Sequence, residues 1–514
     1  MSFVSAGAIT AGRPAAGERP QAAALARLPT WWPLAALTLL AAALRLSTLG
    51  LQSFWYDEAF TPVHVLHASL ASTLSSVAHS ENTPPLWYLL AWADSRVLGD
   101  GEVALRLPSA LAGIALVPVA WEIGRELAGR RVALASAALI AVNPLFVWYS
   151  QEARSYELFA LTSALAMLCF VRAERTAPGD PACARRMAAF AAAGALALLT
   201  HYFAVFLLAP MALWLLRPRG RRAAALPAIG ALALVGLALV PLIAAQGGHG
   251  TQWIGRWPLA ERIEAIPQYF LTGASGAPLG HGVELLVALP LLVGLLVGAW
   301  RLLEAAAAPR RAALLAALPA ACGVLIPVIL VAFGADYLAP RNLIGAMVPL
   351  TVLIAVLMAS GAAGRAGALA TVVLAIGFLA VSLDVDLSPR LQRGDWRSLA
   401  RAIPRGGVSR AVTTVELGTA PLQYYIAGLH ELHPHTSVLL SEIDETGYSP
   451  LRASAGAPPA AGFTLLSRSD VNGLILYRFV SPRPRAVTEE QLRRHVITLE
   501  RPAVLVPAGA SVIP

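Results

Sequence analysis

Long apolar runs separated by short arginine-bearing loops recur from residue 31 to residue 383, and this feature limits the fold more than any single motif. A helix needs about 20 mostly apolar residues to cross the hydrocarbon core. Runs at 31–50, 104–124, 131–148, 155–172, 187–200, 202–216, 223–245, 282–303, 312–335, 341–359 and 366–383 meet or approach that length, predicting roughly eleven transmembrane helices. Composition agrees: 57% of the 514 residues are hydrophobic and only 13% charged, against about 25% charged in soluble domains. The formal charge of +9 does not indicate nucleic acid, because the basic residues cluster in short loops between spans. Cys169, Cys183 and Cys322 have neither disulfide-framework nor metal-ligand spacing.

Arginine placement sets the direction. Arg13, Arg19 and Arg27 precede the first run, so residues 1–30 are read as a disordered cytoplasmic N-terminus and 51–103 as external. The clusters at 125–131, 172–186, 217–222 and 301–311 then all fall inside. Parity demotes "PPLWYLLAWADSRVLGDGE": counting it as a span would place the 125–131 arginines outside. Its short run, interrupted by Asp94 and Arg96, predicts an interfacial helix in the first external loop. The expected protein is a multi-pass plasma-membrane protein with a transmembrane domain over 31–385.

Composition shifts beyond residue 385. "RGDWRSLARAIP" reads as an amphipathic helix, "RAVTTVE" and "TSVLL" as strands, and "GFTLLSRSDVNGLILYRFV" as a hairpin around Asn472-Gly473. These predict a small extracytoplasmic α/β domain from about 386 to 480. A Pro-rich tail follows, so the C-terminal region extends over 386–514.

The topology gathers the polar clusters on one face. Asp57 and Glu58 lie in "FWYDEAF"; Glu81 and Asn82 in "HSENTPP"; Arg106 near the start of the second span; Gln151, Glu152, Arg154 and Tyr156 in "SQEARSY"; His201 in "THYF"; Tyr337 and Arg341 in "DYLAPRN". Each has a plainer alternative. Asp57 caps a helix starting near Thr61, Glu152 pairs with Arg154, "THYF" is an interfacial aromatic cluster, and Arg341 touches lipid phosphate. Together they make an acidic and a guanidinium-rich patch on one membrane face, which suits glycosyl transfer from a lipid phosphate. An ionised carboxylate accepts the acceptor hydroxyl's proton. A phosphate leaving group needs no acid, as a glycosidase's does, but it needs a cation, and arginine matches its oxygens bidentately.

"WYDEAFT", "NTPPLWYLL", "ALRLPSALAG", "NPLFVWYSQEARSYELF" and "LLTHYFAVFLL", in this order, resemble the bacterial members of the dolichyl-phosphate-mannose:protein mannosyltransferase family, glycosyltransferase family 39. That family belongs to the GT-C superfamily of integral-membrane glycosyltransferases. The likeness is strong over 31–216, looser at "ADYLAPRNLIGAMVPL", and reduced to "RGDWRSLA" in the C-terminal domain. It implies the GT-C fold, a polyprenyl-phosphate-linked sugar donor and inversion at the anomeric carbon. It implies Asp57 as the base, with Glu58 beside it, and Arg106 contacting the lipid phosphate or ordering the loop. Gln151, Glu152 and Arg154 would make sugar or phosphate contacts, with Glu81 and Asn82 as sugar contacts. Where many relatives carry His before the paired prolines this chain has Thr83, which removes a proton-transfer role there. No cofactor is expected, although a site completed by Asp57 and Glu58 is one that a divalent cation fits. The acceptor is left open between a protein hydroxyl, a lipid (lipid A in the related aminoarabinose transferases) and a cell-envelope glycan. Two rival classes are a lipid or sugar transporter, which places its site near the midplane between repeats, and a non-enzymatic envelope scaffold.

Overall fold

The computed structural model describes residues 31–248, 250–274, 281–404, 409–495 and 497–513; the expected N-terminal segment 1–30 lies outside them. Every apolar run named above is helical among the described residues. Among the described residues, eight helices are long and apolar enough to cross a membrane, from Glu102–Ala128 to Gly364–Leu387. Trp32–Leu46 and Ala204–Leu215 are apolar but shorter. The run at 131–148 is not the straight span expected. Helices Arg130–Val142 and Pro144–Ser150 meet at a 55° bend.

The bend follows from Asn143-Pro144. Proline disfavours the α region for the residue before it, and Asn143 is extended, with its side chain capping the next helix through the Leu145 N–H at 2.9 Å. Carbonyls released at the break need partners, because lipid supplies none. Arg45, buried on Trp32–Leu46, donates to Ala141 O at 2.9 Å and Ile140 O at 3.3 Å, and Ser382 Oγ donates to Val142 O at 2.9 Å. Gly113 leaves room for this cluster: a Cβ there would overlap Ser150 Oγ and crowd Arg45 and Glu157. The bend thereby delivers residues 150–156 to one end of the bundle.

The loop after the first apolar helix is helical in pieces. Tyr56–Phe60 runs into a π-turn at Thr61–Val65, followed by Leu70–Ser80, capped by Ser69, and Leu86–Leu98. The last has 13 residues and ends at Gly99 in a positive-φ conformation, too short to cross.

The C-terminal domain is a mixed sheet ordered β2-β6-β1-β3-β5-β4, with β7 on β3. The strands are β1 (Arg410–Val415), β2 (Leu429–Glu431), β3 (Ser437–Tyr448), β4 (Thr464–Val471), β5 (Leu474–Thr488), β6 (Pro502–Pro507) and β7 (Val512–Ile513). β1 and β3 are parallel; the remaining pairs are antiparallel. Asn472 and Gly473 both take positive φ in the β4–β5 turn, as a two-residue type I′ hairpin requires. The tail does more than pack alongside, since β6 lies between β1 and β2. Helix Trp396–Ala402 covers one face through Trp396, Leu399 and Ile403.

This domain clamps the loop after the first apolar helix. Ser53 Oγ donates to Gly394 O at 2.9 Å and accepts from the Trp396 N–H at 3.1 Å. The Phe54 N–H donates to Tyr425 Oη at 2.7 Å, and Arg397 donates to Glu102 and to Leu51 O, each at 2.8 Å.

Candidate active site

Four carboxylate–guanidinium pairs, bordered by Arg262–Asp336 and Arg397–Glu102, gather where the 49–60 loop, the 150–156 turn, the 336–343 segment and the 391–397 linker meet. The deepest joins Glu58 to Arg106. Arg106 Nε and Nη2 each reach a Glu58 oxygen at 2.7 Å, Nη1 donates to Leu49 O at 3.0 Å and Gln52 O at 2.7 Å, and Nη2 also donates to Ser53 O at 3.1 Å. All five N–H groups of the guanidinium are thereby used. Glu58 accepts a further bond from the Ala153 N–H at 2.8 Å. Burial pushes its carboxyl up, but Arg106, Arg393 and the Ala153 N–H outweigh that and hold it below the usual carboxylate range.

Of the two roles expected for Arg106, ordering the loop is the one its bonds fit, since no donor is left for a phosphate. Tyr56–Phe60 is a helical turn, in which successive side chains diverge by about 100°. The two carboxylates accordingly take different partners, Glu58 binding Arg106 and Asp57 binding Arg341. Asp57 sits inside the first turn of that helix rather than capping one at Thr61.

The second pair is Arg154–Glu81, bidentate at 3.0 Å, with Arg154 Nη1 also 3.3 Å from Asp57 O. Arg154 thus pairs with Glu81 and not with Glu152. Glu152 Oε2 accepts from Arg393 Nη2 at 2.8 Å, while buried Oε1 has no hydrogen-bond partner among the described residues. Burial and the nearby Glu58 charge raise the Glu152 pKa against the pull of Arg393. Arg393 also donates from Nη1 to Gln151 O at 3.2 Å and from its backbone N–H to Gln52 Oε1 at 3.0 Å, and lies 4.1 Å from the Trp148 ring centroid. Gln151 Nε2 ties this turn to Thr48 Oγ1 at 2.8 Å and Leu44 O at 3.0 Å.

The fourth pair is different. Arg341 Nη1 donates to Asp57 Oδ2 at 2.7 Å, and their side chains are 20% and 18% exposed, against 9% or less for every member of the other three pairs. Trp253, Tyr156 and Trp55 ring the Arg341 guanidinium at 5.1, 5.6 and 5.8 Å. Asn82 lies beside Gly250 in the loop that carries Trp253. Tyr337 is brought no closer: it is 51% exposed, and its side chain makes no hydrogen bond or ring contact among the described residues. Nor do three His, Cys, Asp or Glu side chains among the described residues converge as a metal-ligand group.

His201 stacks on Phe159 at 4.8 Å beside Tyr156, and its Nδ1 accepts from the Phe203 N–H at 3.2 Å. Burial, with Arg341 and Arg154 nearby, lowers its pKa to about 3. The unfolded chain, with His near 6.5, therefore takes up a proton that the folded state refuses. Stability is lost as pH falls below about 6.5, by about 2 kcal/mol at pH 5. His201→Gln is expected to shrink the drop in thermal midpoint between pH 7.5 and pH 5 in detergent; an unchanged drop would place the acid sensitivity elsewhere.

Sequence reasoning missed Arg393, Trp253 and Gln246. Gln246 Nε2 donates to Val77 O at 2.9 Å and Thr83 O at 3.0 Å, while Oε1 accepts from Tyr202 Oη at 2.7 Å. Its signal was a lone amide ending an apolar run. For Arg393 the signal was the "RGDWRSLA" stretch itself.

Residues 82–244 match the sequence model of the dolichyl-phosphate-mannose-protein mannosyltransferase family. That segment holds Arg106, Arg154 and His201 but neither Asp57 nor Arg341. No curated protein matches by sequence. Among solved structures, ArnT from Cupriavidus metallidurans bound to undecaprenyl phosphate is similar over 88% of this chain and 98% of its own, at 13% identity and a TM-score of 0.53. AglB of Archaeoglobus fulgidus, an archaeal oligosaccharyltransferase in complex with an inhibitory peptide and a dolichol-phosphate, covers 72% of this chain and 57% of its own, at 12% identity and a TM-score of 0.48. The S. cerevisiae protein O-mannosyltransferase Pmt1-Pmt2 complex covers 44% and 35%, at 18% identity and a TM-score of 0.35. The family match over 82–244 and the fold shared with ArnT make this chain similar to the GT-C integral-membrane glycosyltransferases. Likeness to the mannosyltransferase family model is confined to 82–244.

Proposed function

We propose that the protein moves a sugar from a polyprenyl-phosphate donor to an acceptor hydroxyl, with inversion, at the Asp57–Arg341 pair. The supporting observation is that this pair is the most open of the four and the least committed. Arg341 spends one N–H on Asp57, and Asp57 binds it through Oδ2 alone. A donor phosphate draws on Arg341's remaining donors and loosens its hold on Asp57 as it arrives. The acceptor oxygen attacks the anomeric carbon from the face opposite the phosphate, its proton passes to Asp57, and the sugar–phosphate C–O bond breaks. The departing polyprenyl phosphate keeps the electron pair, and Arg341 offsets its charge. The reaction needs no resident metal in this scheme, because the cation is arginine. The undecaprenyl phosphate held by the structurally similar ArnT is a carrier of the same class. The arginines of the 125–131 and 172–186 loops, at the other end of the bundle, support an extracytoplasmic site with the C-terminal domain outside.

Incubating purified protein with radiolabelled polyprenyl-phosphate sugars and membrane extract tests this, with label expected in a protein, lipid or glycan hydroxyl. Label that stays on the carrier while substrate crosses proteoliposomes would favour transport instead. Arg341→Lys keeps the charge and loses the planar fork. It is expected to weaken donor binding roughly tenfold, while Arg106→Lys, with no free donor in the parent, acts through stability. Equal donor affinity in Arg341→Lys and wild type would move the phosphate elsewhere.

A further inference from the structure

At the end of the bundle opposite Asp57, a pocket of about 490 Å³ is lined by Arg172, Arg185, Arg186, Glu126, Cys169 and Ala189. We propose that it binds the phosphate of an anionic phospholipid. The argument starts from where the cations stand. Arg185 closes the first turn of Ala182–Thr200, at the positive end of the helix dipole where a cation costs helix stability, and Arg186 follows it as the fifth residue. Loop arginines suffice for orientation in the membrane, so cations placed there serve something local. Arg185 makes no hydrogen bond or ion pair among the described residues. Arg186 spends one N–H, on Arg172 O at 3.3 Å.

The walls differ in character. Arg172 is held by Glu122 at 3.0 Å and Glu126 at 3.3 Å, so one side is a fixed ion-pair network and the free donors come from the other. Three arginines face one acid, Glu126, among the lining residues, leaving the pocket cationic. Cys169 is half-buried and Ala189 exposed, which gives the pocket an apolar flank along the helices at lipid depth. A cationic pocket between spans with an apolar flank fits a headgroup whose acyl chains stay in the bilayer. A soluble phosphate would leave that flank unused.

The test is native mass spectrometry of the full-length protein in detergent, titrated separately with phosphatidylglycerol, phosphatidylcholine and inorganic phosphate. Phosphatidylglycerol is expected to bind more tightly than phosphatidylcholine. Arg185→Gln with Arg186→Gln is expected to weaken it roughly tenfold or more, with phosphatidylcholine adducts unchanged. The charge-matched control is Arg219→Gln with Arg365→Gln, two exposed arginines outside the pocket, and it should bind as wild type does. Equal weakening in the control would mean diffuse surface charge and overturn the site. Displacement of the lipid by inorganic phosphate at equal concentration would overturn the lipid assignment. In the unmutated protein, phosphatidylglycerol should slow methanethiosulfonate modification of Cys169 but not of Cys322; equal rates with and without lipid would also overturn it.

Discussion

Asp57→Asn is expected to lower turnover by roughly 10²–10⁴, the range for removing a general base, while leaving expression and donor binding near those of wild type. The two halves of that expectation have separate origins. The Asp57–Arg341 pair is the most open of the four, and the loop is anchored elsewhere, so losing the carboxylate charge does not unfold it. The helical turn Tyr56–Phe60 is held instead by Glu58, Arg106 and the Phe54–Tyr425 bond. Asparagine keeps the shape and can still accept from Arg341, but it takes no proton from an acceptor hydroxyl. Asp57→Glu should recover little, because one added methylene moves the oxygen further than a reacting geometry tolerates. Single-turnover transfer, measured with enzyme in excess of donor, isolates the chemical step. Wild-type rates in Asp57→Asn would remove the carboxylate from the chemistry.

Much of the bundle is legible in run length, because lipid leaves helices as the form for a lone spanning segment. The bend at Asn143 is legible too, in the proline, but not its consequence. Its orphan carbonyls are satisfied by Arg45 and Ser382, 96 and 240 residues away from their partners. The site divides the same way. Residue types and their common face can be read from the chain; the pairing cannot. Arg341 lies 284 residues from Asp57, and Arg393 lies 241 from Glu152. Four acids and four arginines at one face admit many pairings, and packing selects among them. Arg106 shows the limit. A cation within an apolar run must find partners, but nothing in "ALRLPSALAG" says whether they are a phosphate or three loop carbonyls and Glu58.

Glu58→Gln is expected to fail by losing stability rather than chemistry. The Glu58–Arg106 pair is fully buried, and removing one member of such a pair costs about 3–5 kcal/mol, because the other charge is left unpaired. Arg106→Met is expected to cost at least as much. It strands Glu58 and also removes the donors to Leu49, Gln52 and Ser53 carbonyls, each of which costs about 1–3 kcal/mol when left unsatisfied in a buried setting. The double variant Glu58→Leu/Arg106→Met removes both charges and should recover part of the loss. It should not recover all of it, since the three loop carbonyls remain without partners. Thermal midpoints of the purified variants, read beside the transfer rate of the fraction still folded, separate the two roles. The folded fraction of Glu58→Gln should retain turnover within about tenfold of wild type, well short of the loss expected for a missing base. A Glu58→Gln protein that melts like wild type and transfers no sugar would make Glu58 the catalytic carboxylate and leave Asp57 as its neighbour.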